Sequence, residues 1–253
     1  LDIKTMAEDN NSEYLFWVGC AGSYDLRAQK VSIAFAKIMQ KAGIDFRILG
    51  EEEKCNGDMA RRLGNEYLAQ MLIQENVETL NNYKVKKIVT TCPHCFNSIK
   101  NEFPDFGGNF EVIHHTELIA KLIESNKIKL KNDTIKQQIT YHDSCYLGRY
   151  NDIYDAPRKA LNNVANVELI EMERTKDRGF CCGAGGGRMF LEETVGERIN
   201  ENRTKEAIET GASLIASACP FCMTMFSDGL KSFDKNEAID VKDIAEIVYE
   251  NLE

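Results

Sequence analysis

Short apolar runs alternate with amphipathic stretches along the chain, and this pattern predicts β-strands separated by α-helices. The runs are of the length expected for strands buried on both faces of a parallel sheet. They lie at 14–19, 45–49, 87–91 and 111–114 in the first half, and at 139–142, 168–172, 213–218 and 239–241 in the second half.

Helical periodicity occupies the segments between these runs. In the first segment Val31, Phe35 and Ile38 share one face, and Gly43 is placed to end the helix. A second helix is predicted to begin near Asp58 and to bury Leu63, Tyr67, Leu68, Met71 and Leu72. Further helices are expected after the Cys92–Cys95 turn and at 116–123, 156–164, 195–210 and 243–252, and the segment Cys219–Cys222 is interpreted as a turn.

The repeated order of strand and helix predicts an α/β fold with two tandem, pseudo-symmetric lobes. Each lobe should be a mainly parallel sheet with flanking helices, because a strand, a helix and a second strand form a crossover unit. We expect the domains to span 13–124 and 139–253, and the polar stretch Ser125–Gln138 to connect them.

The nine cysteines form two similar sets. The first set is Cys20, Cys55, Cys92 and Cys95, and the second is Cys145, Cys181, Cys182, Cys219 and Cys222. From Cys20 to Cys145 is 125 residues, from Cys55 to Cys181 is 126, and from Cys92 to Cys219 is 127. Four of these residues follow predicted strands, so each set should meet at the carboxyl ends of the strands of its sheet.

Thiolates gathered in this way are typical ligands of soft metals and of iron–sulfur clusters. An odd number of cysteines excludes complete disulfide pairing, and the first twelve residues lack the apolar region of an export signal. No run approaches the ~20 apolar residues of a membrane span. We therefore expect a cytoplasmic protein with reduced thiols. The net charge of −9 argues against a nucleic-acid partner.

Other interpretations of the cysteines are weaker. A structural zinc site usually takes its ligands from two compact pairs, whereas these come singly from separate strand ends. A thioredoxin-type dithiol would use one CxxC motif and not two. The glycine-rich segment 181–188 lacks the Lys-Ser/Thr pattern of a phosphate loop. Buried structural cysteines would not repeat at matched spacing.

Several further residues are candidates for modulating the site. His94 lies inside the first CxxC and His142 lies three residues before Cys145, so either could donate to a cluster sulfur. Arg149 and Arg188 could offset the negative charge of a thiolate-ligated cluster, although a solvated arginine is an equal interpretation. His114 and His115 are further candidates for donors, and Trp17 is expected to be a core residue.

The second set resembles the cysteine-rich CCG domain found in the B-type subunit of heterodisulfide reductase and in related iron–sulfur oxidoreductases. The resemblance extends over the chain after residue 13, as two tandem copies. The subgroup found with electron-transfer flavoprotein:quinone oxidoreductase is the most similar, on the stretches WVGCAG, TTCPHCFN, HHTE, YHDSCYLGRYN, YDAPR, FCCGAGGGRMF and ACPFCMTM.

This resemblance implies a noncubane [4Fe-4S] cluster in the second domain, with all five cysteines of the second set as ligands. The first copy departs from the pattern, because the residue after Cys55 is Asn56. Its four thiolates, from Cys20, Cys55, Cys92 and Cys95, suffice for a cubane. The resemblance therefore implies a second cluster there, either a cubane or an altered noncubane [4Fe-4S] cluster.

The preferred function is an electron-transfer subunit of an oxidoreductase complex. The resemblance implies a flavoprotein or ferredoxin-type donor and a quinone-reactive membrane partner, which would make the protein peripheral to the inner membrane. The alternative is a catalytic subunit that reduces a heterodisulfide or another disulfide, which requires an open substrate pocket beside a cluster. A zinc-stabilised scaffold without a redox role is a third hypothesis.

Overall fold

The computed structural model describes residues 1–132 and 137–253, and these fall into two compact units. We call Leu1–Ile128 the first lobe and Lys129–Glu253 the second lobe. The boundary falls within the polar stretch Ser125–Gln138 that was predicted as the connection, of which residues 133–136 lie outside the described residues. Ile128 is buried, and Leu130 forms a β-bridge with Leu252.

The described residues of the first lobe contain one parallel four-stranded sheet in the order β2-β1-β3-β4. Its strands are β1 (Tyr14–Trp17), β2 (Phe46–Arg47), β3 (Lys87–Thr90) and β4 (Glu111–His114). Its helices are α1 (Gly19–Tyr24), α2 (Leu26–Lys41), α3 (Asp58–Arg62), α4 (Glu66–Asn82), α5 (Pro93–Asn97) and α6 (His115–Glu124).

The second lobe repeats this architecture in the part of the chain that the structure describes. Its parallel sheet has the order β6-β5-β7-β8. The strands are β5 (Gln137–Tyr141), β6 (Val167–Ile170), β7 (Leu214–Ser217) and β8 (Asp240–Asp243). The helices are α7 (Asp155–Asn162), α8 (Ile199–Glu209), α9 (Pro220–Ser232) and α10 (Ile244–Glu250).

The predicted α/β fold with two tandem parallel-sheet lobes is confirmed. The central strands β1 and β7 are buried along their whole length, as continuous apolar runs predict. Helix α2 buries Val31, Phe35 and Ile38, and Gly43 follows it with a φ of +67°. Among the helices of the described residues, none has the length and apolarity that crossing a membrane requires.

The helix predicted from Asp58 was wrong in its continuity and in its buried face. Gly64 has a φ of +88°, and the chain breaks there into α3 and α4. The side chain of Asn65 then accepts a hydrogen bond from the amide of Leu68 and starts α4 in a new phase. Consequently α4 buries Ala69, Ile73, Asn76, Val77 and Leu80, whereas Leu63, Tyr67, Leu68 and Met71 are exposed.

Two predictions in the second lobe also need correction. The helix expected over 195–210 begins only at Ile199, and Val195 is 90% exposed. The segment after Cys219, interpreted as a turn, is the 13-residue helix α9. Proline at its first position is compatible with a helix start, because that residue needs no intrahelical N–H bond.

Candidate metal centre

The sheet topology brings the separate cysteines together at one edge of each sheet. Strands β1 and β3 are parallel neighbours, and they lead directly to Cys20 and to Cys92. Strands β5 and β7 are also parallel neighbours, and they lead to Cys145 and to Cys219. All nine cysteines are free thiols. The two sets therefore lie where the carboxyl ends of neighbouring strands meet.

In the first set the thiols lie in two hydrogen-bonded pairs. Cys20 pairs with Cys55, and Cys92 pairs with Cys95. The hydrogen bond from Cys20 lowers the pKa of Cys55 to about 6, and the same contact raises the pKa of Cys20. One thiolate is thus favoured in this set before any metal binds, and thiolates are the metal-binding form of cysteine.

Glu53 ties the Cys55 segment to the Cys20 segment. Its carboxylate accepts hydrogen bonds from the amides of Val18, at 3.0 Å, and Gly19, at 2.6 Å. Burial raises the pKa of Glu53 to about 7, although these two amide donors oppose the shift. Gly19 has a φ of +77°, and a Cβ atom there would lie 3.1 Å from Sγ of Cys95. A side chain at this position would enter the space beside the thiols.

The first set has two polar neighbours that the sequence analysis named, Asn56 and His94, and a partner of His94 that it did not assign to the site, Asp58. Asn56 is buried, and its Oδ1 accepts a hydrogen bond of 2.9 Å from the amide of Asp58. Nδ1 of His94 lies 2.7 Å from the carboxylate of Asp58, which also pairs with Arg62. Burial raises the pKa of Asp58, but His94 and Arg62 outweigh it, so the pKa lies below its ordinary value. A carboxylate–imidazole pair therefore lies beside Cys92 and Cys95.

In the second set the five thiols form one continuous series of contacts. Hydrogen bonds join Cys145 to Cys181, Cys181 to Cys182, Cys182 to Cys222, and Cys222 to Cys219. Three members of the series are buried, namely Cys182, Cys219 and Cys222. The adjacent residues Cys181 and Cys182 thus connect the thiol that follows β5 with the two that follow β7.

The thiolate form of Cys181 is favoured within this series. Hydrogen bonds from Cys145 and Cys182 lower its pKa, and the amide of Gly183 donates to its Sγ at 3.3 Å. Gly183 has a φ of +96°, and a Cβ atom there would lie 3.2 Å from the amide nitrogen of Asn200. Glycine is required at this position, where the backbone turns its N–H toward the sulfur.

A buried ion pair holds the segment before Cys181. Asp143, two residues before Cys145, accepts two hydrogen bonds from Arg158, at 2.8 and 2.9 Å. The same carboxylate accepts from the amide of Lys176, at 2.7 Å, and from the hydroxyl of Thr175. Burial raises the pKa of Asp143, but Arg158 and these donors outweigh it, so the pKa is below its ordinary value.

His142 lies beside the second set, as predicted. One of its ring nitrogens and the sulfurs of Cys182 and Cys222 lie within 4.8 Å of one another. Its Nδ1 accepts a hydrogen bond of 3.2 Å from Nε of Arg203, which is fully buried. Burial, and then the charge of Arg203, lower the pKa of His142 to about 3. The imidazole is therefore neutral.

The remaining candidates have structural partners. Arg149 donates to the carbonyl of Gly179, at 2.6 Å, and the half-exposed Arg188 forms an ion pair with Glu193. His114 is the N-cap residue of α6, and its Nδ1 lies 2.8 Å from Oγ1 of Thr116. Trp17 is fully buried and makes an edge contact with Phe103. The positive charge of Arg188 is thus already paired with the carboxylate of Glu193.

The donor set fits an iron–sulfur cluster. Five contacting thiols are one more than a tetrahedral zinc ion uses, and thiolates are the usual cluster ligands. Two buried polar atoms close in sequence to the cysteines, Nε1 of Trp17 and Oγ of Ser144, have no hydrogen-bond partner among the described residues. A group with acceptor sulfurs would supply partners that buried donors need.

Comparison with known proteins gives the same chemistry. Residues 14–100 and 139–227 match the cysteine-rich domain family CCG. The chain is 47% identical to the probable iron-sulfur-binding oxidoreductase FadF of Bacillus subtilis, and 46% identical to the EtfAB:quinone oxidoreductase of Syntrophomonas wolfei. Each alignment covers 99% of this chain and 36% of the relative. The chain therefore spans about a third of the length of these two proteins.

A third relative is one subunit of the dihydromethanophenazine:CoB–CoM heterodisulfide reductase of Methanosarcina barkeri. It is 38% identical over 96% of this chain and 60% of its own length. The matched family and these relatives support iron–sulfur clusters as the cofactor. On the two matched segments and these identities, the chain belongs to the cysteine-rich CCG domain family of iron–sulfur oxidoreductases.

Proposed function

We propose that this chain is the iron–sulfur electron-transfer unit of an oxidoreductase, with one cluster in each lobe. The observation that carries the proposal is the convergence of free thiols at the carboxyl edge of each sheet, four in the first lobe and five in the second. A cluster bound there would supply reversible one-electron transfer. The domains that hold the clusters are 13–124 and 139–253.

The number of thiols supports a different cluster in each lobe. Cys145, Cys181, Cys182, Cys219 and Cys222 would hold a noncubane [4Fe-4S] cluster, because five contacting thiols exceed the four that a cubane uses. Cys20, Cys55, Cys92 and Cys95 would hold a four-iron cluster with four thiolates. In the first lobe Asn56 occupies the position of the fifth thiol and holds the turn before α3.

The partners proposed are an electron-transfer flavoprotein or ferredoxin-type donor and a quinone-reactive membrane subunit. The support is the similarity to a protein named EtfAB:quinone oxidoreductase, most of whose length lies outside the alignment. A net charge of −9 suits steering by a basic face on a partner. The location that follows is the cytoplasmic side of a membrane, through these partners.

Metal analysis tests the cofactor. Protein purified without oxygen should be brown and should contain about eight irons and as many acid-labile sulfides, as two four-iron clusters require. Electron paramagnetic resonance after reduction should resolve two different signals. Stoichiometric zinc with negligible iron in freshly isolated protein would favour the zinc scaffold and overturn the proposal.

Mixing experiments test the partner. Reduced electron-transfer flavoprotein should bleach the visible absorbance of the loaded chain under anaerobic conditions, and chain stripped of iron should give no such change. A rate that falls as salt increases would support the steering argument. Loaded chain that is reduced by dithionite but by neither flavoprotein nor ferredoxin would contradict the proposed donor class.

A second candidate function, disulfide reduction, is favoured by a cavity in the first lobe. The cavity has a volume of 610 Å³, and its lining includes Cys20, Cys55, Tyr24 and Ile48. A disulfide reduced there would take two electrons and two protons and would yield two thiols, with dithionite as the reductant in the assay. Thiol release that requires the loaded chain would favour this function over simple electron transfer.

A further inference from the structure

Trp17 and His142 occupy the same position in the two lobes. Each lies three residues before the first cysteine of its set, at the carboxyl end of a central strand. Trp17 is the last residue of β1, and His142 follows β5, with its amide donating to the carbonyl of Ala216. Both side chains are buried, at 0% and 1% exposure. Each lobe therefore has a buried, nitrogen-containing ring at the strand end that leads to its thiol set.

The indole N–H of Trp17 has no hydrogen-bond partner among the described residues. An N–H group buried in this way is unfavourable, because folding removes the water that would otherwise accept from it. Gly19 shows that the ring lies beside the thiols. A Cβ atom placed on Gly19 would lie 4.0 Å from Cδ1 of Trp17 and 3.1 Å from Sγ of Cys95. Cδ1 is bonded to Nε1, so the edge of the indole that carries the N–H is the edge near Gly19.

Arg203 determines which nitrogen of His142 carries the hydrogen. Nε of a guanidinium donates and does not accept, so Nδ1 of His142, at 3.2 Å, must present its lone pair. We assign the ring hydrogen to Nε2 from this hydrogen-bond network. Arg203 is itself held by Glu206, at 2.7 Å, and by the carbonyl of Arg174, at 2.9 Å. The arrangement makes His142 a neutral ring with one N–H donor.

We propose that Trp17 and His142 each donate one N–H to the sulfurs of the cluster in its own lobe, and that Arg203 is the positioning residue that gives His142 this role. The inference rests on the proposed function. Tryptophan is a donor by its chemistry, whereas histidine needs Arg203 to act in the same way. Hydrogen bonds to cluster sulfurs stabilise the more negative, reduced state, so both donors raise the reduction potential of the cluster.

The first test is a redox titration of the loaded chain, followed by the electron paramagnetic resonance signal of each cluster. Trp17→Phe keeps an aromatic ring and removes the N–H. It should shift the reduction equilibrium of the first-lobe cluster about three- to tenfold toward the oxidised form, about 30 to 60 mV at 59 mV per tenfold for one electron. The second-lobe cluster should keep its potential. Unchanged potentials at full iron content would overturn the inference for Trp17.

The matched pair for the second lobe is His142→Phe and His142→Gln. Phenylalanine removes the donor and should lower the reduction potential of the second-lobe cluster by a similar amount. Glutamine retains an N–H and should keep most of the original potential. A role in packing alone predicts that the two variants behave alike, which would overturn the proposal. Arg203→Met, which leaves the Glu206 carboxylate paired with Arg174, should lower the same potential with iron content unchanged.

A measurement on the unmodified sequence avoids any failure of the variants to fold. The chain has a single tryptophan, so ¹⁵N-indole labelling marks Trp17 alone. Electron–nuclear double resonance should detect ¹⁵N coupling in the first-lobe signal and not in the second. Absence of coupling in a protein that contains both clusters would refute the donor role of Trp17. Absence of iron and sulfide would instead refute the proposed function.

Discussion

The two thiol sites are built on the same sheet topology, but they differ in how many thiols they bring into contact. In the second lobe Cys182 joins Cys181 to the pair that follows β7. In the first lobe the corresponding residue is Asn56, whose side-chain oxygen accepts a hydrogen bond from the backbone N–H of Asp58. One residue thus distinguishes a continuous series of five thiols from a set of four that is hydrogen-bonded as two pairs. The difference indicates that the scaffold positions the strand ends, while a single loop residue sets the number of donors.

We expect the largest effect when the thiol that makes the two lobes differ is removed. Cys182→Ser should abolish or transform the paramagnetic signal of the second-lobe cluster and spare the first, with a loss of up to about four of about eight irons. Asn56→Ser, the matched control, should leave both signals and change only their fine detail. An intact second cluster in Cys182→Ser, or the same cluster type in both lobes, would show that thiol number does not select cluster geometry.

The converse change would sharpen the same comparison. Asn56→Cys adds a fifth thiol to the first lobe, and we expect its cluster signal to move toward that of the second lobe. Asn56→Ser again serves as the control, because a hydroxyl can replace the turn acceptor without adding a ligand. Mössbauer spectra of iron-57 protein would measure the change. Spectra identical to those of the unaltered first lobe would mean that the surrounding cavity, and not the thiol, limits the cluster.

In each lobe a carboxylate connects two of the segments that carry the cysteines, but the two carboxylates bind partners in opposite directions along the chain. Glu53 reaches from the Cys55 segment back to Val18 and Gly19, whereas Asp143 reaches from the Cys145 segment forward to Thr175 and Lys176. The two lobes therefore achieve the same closure of the site with different residues.

Neutralising each carboxylate compares these supports. Asp143→Asn disrupts a buried pair with Arg158 and should lower the free energy of unfolding by about 3 kcal/mol. Glu53→Gln loses one of two neutral-donor bonds and should cost about 1 kcal/mol. Chemical denaturation of iron-free protein, followed by circular dichroism, measures both. Equal losses would contradict the different burial and pairing of the two groups.

An effect smaller than that of Asp143→Asn is expected at the glycines of the second set. Gly183→Ala places a Cβ atom at a φ of +96° and should destabilise the protein by about 1 to 2 kcal/mol, with a disturbed bond from its amide to Cys181. Gly185→Ala is the control, because a Cβ atom there meets nothing within 4 Å. Thermal unfolding and the second-lobe signal would report the change. If both variants showed the same thermal stability and the same second-lobe signal, the requirement for glycine at position 183 would be contradicted.

Much of this arrangement was predictable from the sequence, because apolar runs that end in a cysteine identify strands and the edge at which their ligands meet. The break at Gly64 was not, since the apolar periodicity around it resembled that of one continuous helix. Arg203 was missed because it lies on α8, a helix rich in charged residues, where an arginine would ordinarily be exposed. Only the folded chain shows that it is fully buried against His142. Trp17 was predicted as a core residue, and only the structure shows that its N–H has no hydrogen-bond partner in the part of the chain described.

The proline after Cys92 and after Cys219 has an electrostatic consequence. Each cysteine caps a helix, α5 or α9, with proline at the first position. The positive end of a helix therefore lies at Cys92 and at Cys219, where backbone dipoles would offset part of the charge of a thiolate. A backbone dipole neither titrates nor exchanges with counterions, unlike the half-exposed guanidinium of Arg188. If each lobe holds a cluster as proposed, the two potentials should therefore change little with ionic strength, even though docking of a charged partner depends on it.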